Sequence, residues 1–197
     1  MAGMLSICAC NNADSNKAKD AADSLATKVD TVTSDVSREA SKVANKVEND
    51  LYPNPDSNFV VKASLDNNKE LRLLEAGVAN GTDKDLKAHA KMMIADHKKL
   101  GAGVKAYAAK KGYYPPEGDN GKADDELATL KNHTKGADWD KEWTDALTSG
   151  HTDAVDMFEK AKDKVKDPEL QAMITNALPT LHAHLDMMKQ LQDKLKK

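Results

Sequence analysis

The sequence predicts an all-α protein: an antiparallel four-helix bundle over residues 57–197, carried behind an N-terminal tether that is helical or disordered. Three observations lead there. Charged residues make up 31% of the 197 and aromatics only 4%, the profile of helices around an aliphatic core. Beyond residue 56, apolar residues recur at alternating spacings of three and four, the period of one helix face. Four such stretches of roughly 24 to 30 residues would each be about 36 to 45 Å long, and helices that long with short or moderate connections pack as a bundle.

The chain opens on "MAGMLSICAC", small and apolar, and then turns polar. Ile7-Cys8-Ala9-Cys10 resembles a bacterial lipobox, with Cys10 as the lipidated residue. Residues 1–10 then read as a lipoprotein-type signal lacking its charged front and most of its apolar stretch. The alternative is a chance pair of cysteines near a loose terminus. No other cysteine occurs, so a disulfide framework is not expected. An acyl anchor associates with a membrane without spanning it, and no run of about 18 apolar residues is present.

Residues 11–56 read as tether or stalk. Up to residue 50 they hold no Gly, Pro or aromatic residue. Leu25, Val29, Val32, Val36, Val43 and Val47 trace only a weak stripe among β-branched and Ser/Asp residues that lower helix propensity. "LYPNPDSN" then breaks the chain with two prolines. The first long helix is expected from about Ser57 to Asn80. The second follows the cap candidate Thr82, with Asp85 three residues on, and closes at Gly112. "YYPPEGDNGK" is a loop, followed by a short helix near 123–133. The third long helix is expected over about 138–166. The fourth opens on Asp167-Pro168, a cap with proline at the first helical position, and runs to the C-terminus through Pro179, where a kink is expected.

Each inward stripe carries one interruption. The second helix reads Leu86, Ala90, Met93, His97, Leu100, Val104, Tyr107. The third reads Trp143, Leu147, His151, Ala154, Phe158, Ala161, Val165. The fourth reads Leu170, Ile174, Ala177, Leu181, His184, Met188, Leu191, Leu195. The first helix offers two faces, one carrying Glu70 and the other Glu75. Polar groups are excluded from such stripes unless paired or bound. Counted along their helices, Glu70, His97, His151 and His184 all fall near mid-length, so they can share a level. An imidazole and carboxylate cluster inside a bundle is a divalent-metal site in outline, with Asp96 orienting a histidine from behind. Zn, Fe, Mn and Cu all remain compatible. The competing reading is a metal-free core in which the histidines hydrogen-bond to one another, to Glu70, Asp96 or Tyr107. His89 and His133 read as exposed, His182 as facing elsewhere, and the methionines as packing.

The net charge of −3 and the lack of a basic stripe argue against nucleic acid. No seam serine or cysteine and no glycine-rich phosphate loop supports an enzyme. Self-association into a homo-oligomer is left open, and no protein partner is indicated.

Four features resemble the bacterial domain of unknown function 4142. Phe59 lies eleven residues before Glu70. "MMIADH" supplies Met93, Asp96 and His97. "HTDAVDMF" supplies His151 and Phe158. "LPTLHAHL" supplies Pro179 and His184. The chain departs at Gly150, where the family resemblance leads one to expect an acidic residue, and at Gly77, where a larger one is usual. The resemblance implies a ferritin-like bundle exported to the cell envelope, as an outer-membrane lipoprotein or in the periplasm, with no established activity. Ferritin-like di-iron proteins use Glu-x-x-His pairs, whereas Ile94 and Leu181 stand three before His97 and His184. One divalent metal ion, or none, is therefore expected.

Overall fold

The computed structural model describes residues 52–196. Among them are five α-helices and no strand: α1 (Pro55–Asn80), α2 (Lys84–Lys111), α3 (Asp124–Asn132), α4 (Ala137–Lys162) and α5 (Pro168–Leu195). Cys10 and all but the last residues of the expected tether lie outside the described residues.

The helix ends follow local chemistry. α1 starts two residues earlier than expected because Asn54 caps it, its side chain accepting from the Asp56 amide at 2.9 Å ahead of Pro55 at the first position. α2 is capped by Asp83, not Thr82. Asp83 accepts from the amides of Asp85 (2.8 Å) and Leu86 (3.1 Å). Thr82 instead donates its amide and hydroxyl to the buried Asp140 carboxylate, at 2.8 and 2.6 Å, and Asp83 adds its amide at 2.8 Å. Gly112 ends α2 in the left-handed conformation, φ 71°. α4 stops at Lys162, short of the expected 166, where the Asp56 carboxylate accepts the amides of Lys166 (2.7 Å) and Asp167 (3.2 Å). α5 begins at the expected cap and proline, and stays helical through Pro179, which lacks the amide that would have bonded the Thr175 carbonyl.

α1 packs on α2 and α4, and α5 packs on α4 and α2. α3 reaches α4 and α1. The buried apolar residues form two clusters. One gathers the start of α1 (Phe59, Ala63), the end of α2 (Val104, Tyr107), the end of α4 (Val155, Phe158) and the start of α5 (Leu170, Ile174). The other gathers the end of α1 (Leu73, Leu74), the start of α2 (Leu86, Met93), the start of α4 (Trp143, Leu147) and the end of α5 (Met188, Leu191). The boundary between the clusters falls at the polar interruption of α1, α2 and α4, and just past His184 on α5, between Leu185 and Met188.

Of the two faces open on α1, Glu70 is buried (5% exposed) and Glu75 is exposed. α1 also buries Val60, Val61 and Leu65, because it is covered on more than one side.

Candidate metal centre

His97, His151 and His184 come together from α2, α4 and α5. All three are buried, and their ring centroids stand 5.5, 5.6 and 5.5 Å apart, nearly an equilateral triangle. One ring nitrogen of each lies within 4.8 Å of the other two, the one such group of metal-ligating side chains among the described residues.

The partners of each ring decide where its proton sits. His97 Nδ1 faces Asn67 Oδ1 at 3.2 Å, His151 Nδ1 faces the Leu147 carbonyl at 2.9 Å, and His184 Nε2 faces Asp96 Oδ2 at 3.0 Å. Amide, carbonyl and carboxylate oxygens accept, so each of these ring nitrogens donates. The opposite nitrogens, His97 Nε2, His151 Nε2 and His184 Nδ1, are then bare acceptors. All three are buried without a protein hydrogen-bond partner. None of the rings bonds to another.

Burial holds the rings neutral. Loss of solvation, reinforced by the two neighbouring imidazoles, pushes His97 down to about 3. Burial takes His151 down to about 4, opposed by its bond to Leu147. Burial also lowers His184, opposed by Asp96. Neutral imidazole is the form that binds metal.

Glu70 does not join the triad. Its Oε2 lies 3.6 Å from His151 Nδ1, on the proton-bearing side of that ring, and is buried without a hydrogen-bond partner. Glu70, expected from the sequence as a ligand beside the histidines, lies against His151 but outside the three-ring group. The carboxyl stands behind His151, and burial pushes it up to about 8. Asp96, half-buried on α2, accepts from His184 of α5. Asn67 was missed: in "DNNKE" it reads as one more exposed polar residue, yet it is 6% exposed and holds His97. Its spacing of three from Glu70, one helix face, was the available signal.

His182 is exposed and faces Glu159 at 3.2 Å. His89 and His133 are half-buried, not exposed as expected. Tyr107 has no part in the site: its buried hydroxyl lies with the apolar cluster.

The model of the domain of unknown function family DUF4142 matches residues 38–191. The chain belongs to this family. DUF4142 thus accounts for all of the triad, and its match begins before the first described residue. No curated protein matches the chain. Two solved structures resemble it. One is a DUF305 fragment from Deinococcus radiodurans, at 14% identity and TM-score 0.63, covering 71% of this chain and 96% of that one. The other is CopM in its Cu(II)-bound form, at 19% identity and TM-score 0.60, with the same coverages. At these identities the likeness is one of helical fold.

Proposed function

We propose that this DUF4142 domain binds one divalent metal ion through His97, His151 and His184, inside an antiparallel ferritin-like four-helix bundle. The observation that carries the reading is the set of three buried, proton-free ring nitrogens turned away from their hydrogen-bonded sides. Three lone pairs with no protein donor are costly to bury, and one water has only two hydrogens to offer them. A cation satisfies all three at once. Donors held about 2.0–2.1 Å from a common ion sit within about 4.2 Å of one another, and one ring nitrogen of each histidine lies within 4.8 Å of the other two. Asn67, the Leu147 carbonyl and Asp96 are the outward acceptors that such ligands require, and Glu70 adds a carboxyl beside His151.

The bundle assignment is supported by how helix ends share the two apolar clusters: each long helix meets its packed neighbours start to end. Three imidazoles suit Zn(II) and Cu(II). CopM, of similar fold, was solved with Cu(II), so copper stands beside zinc among the ions to test. The metal-free network of histidines has less support, since the rings bond outward and not to one another. Cell-envelope placement through lipidated Cys10 completes the proposal, with the membrane reached only by that anchor. Radiolabelled palmitate incorporation in the full chain, lost in Cys10→Ser, tests it.

Metal analysis and titration of purified protein test the site. One ion per chain is expected, with stoichiometry falling to zero in His97→Ala and His151→Ala. No binding of any divalent ion, with melting unchanged by chelator, overturns it.

A further inference from the structure

Two cavities touch the triad. One, of about 300 Å³, lies between α2 and α5 and is floored by His97, His184 and Leu181. The other, of about 100 Å³, lies between α1 and α4 and reaches only His97 among the three rings. The larger cavity is rimmed by the exposed residues Lys99, Asn176 and Thr180. Asp96 also lines it, but its carboxylate is engaged by His184 Nε2.

Resting on the metal reading above, we infer that the α2–α5 cavity delivers a small monodentate anion to the bound ion, which keeps one coordination position for it. Three imidazoles leave a divalent ion one ligand short of four. The two carboxylates nearest the rings are outside the donor group: Asp96 accepts from His184 Nε2, and Glu70 stands against His151 Nδ1. The position is therefore filled from outside the protein, by way of the larger cavity, whose lining includes two of the three buried rings. At its rim, the Lys99 ammonium and the Asn176 and Thr180 side chains can donate to an anion.

Gly103 gives a clean way to close the path. It lines the cavity, and a Cβ built on it meets nothing within 4 Å. The experiment loads the protein with Co(II) and titrates azide by visible spectroscopy. A saturable change is expected in the native chain and in Gly103→Ala, and azide affinity at least tenfold weaker in Gly103→Leu at unchanged cobalt stoichiometry. Ala177→Leu, from the α5 wall, repeats the block should Gly103→Leu fold poorly. A cobalt-loaded protein whose spectrum ignores azide overturns the inference and leaves the metal site standing. So does unaltered azide affinity in the blocked variants. Failure to bind cobalt overturns the metal reading first and this inference with it.

Discussion

At Gly150, a Cβ would overlap Glu70 Oε1. The missing side chain is the space in which a buried carboxyl sits beside His151. Gly150→Ala must displace that carboxyl and should cost about 1–3 kcal/mol by overpacking, offset in part by about 1 kcal/mol of helix propensity, read by urea unfolding. The loss should shrink when Glu70→Ala is combined with it, as coupled neighbours do not add. Glu70 also sets a pH dependence. Its folded value of about 8 lies above the ordinary 4.5, so the folded state holds the extra proton and stability from this group declines as pH rises from 4.5 through 8. His97 and His151, at about 3 and 4 against 6.5, act the other way, and their contribution is lost as pH falls below 6.5. Above 6.5 only the Glu70 effect remains among these three. The metal-free protein should melt lower at pH 8 than at pH 6.5, and Glu70→Gln should flatten that difference. An equal slope in both would remove Glu70 as its cause. The three histidines were legible as residues because each interrupts an apolar period. The role of Gly150 was not, because its contact joins α1 to α4 across 80 positions of sequence.

The helices are tied at their ends by carboxylates from elsewhere in the chain. Asp140, in the first turn of α4, takes three donors from the α1–α2 connection, and Asp56, in the first turn of α1, takes two from the α4–α5 connection. Asp140→Ala should cost about 2–3 kcal/mol, the scale for a hydrogen-bonded charge. Asp167→Ala, the local cap of α5, should cost about 1 kcal/mol. Chemical denaturation of both variants checks the order, and a larger loss in Asp167→Ala would reverse this ranking. Local caps such as Asp167 with Pro168 are written in adjacent residues and could be read. Thr82 matched the spacing of a capping box with Asp85, but Asp83 is the cap because Asp140, 58 positions away, claims the threonine. Nothing near Thr82 in sequence announces that competition. α4 likewise ends early because of Asp56, over a hundred positions distant.

Across the described residues as a whole, two apolar half-cores meet at a polar layer, so folding and binding load the same residues. The apolar periods predicted which face of each helix turns inward, and the matched depths predicted that the polar interruptions can share a level. The choice between Glu70 and Glu75 stayed open because α1 is apolar on two faces, and only its packing against both α2 and α4 fixes the one that matters. The layer's purpose can be separated from its packing by His97→Leu. Without metal, exchanging the imidazole for an apolar side chain removes the unpartnered Nε2 but strips buried Asn67 Oδ1 of its donor, so stability should shift by no more than about 1–3 kcal/mol. With metal at 100 times its dissociation constant, the native chain should gain about 2.7 kcal/mol by mass action. For a domain of this size that is about 5–11 °C in melting temperature. His97→Leu should gain nothing, and its curve should superpose with and without the ion. If the ion instead raised both proteins equally, it would be binding elsewhere, and the triad would be a purely structural layer.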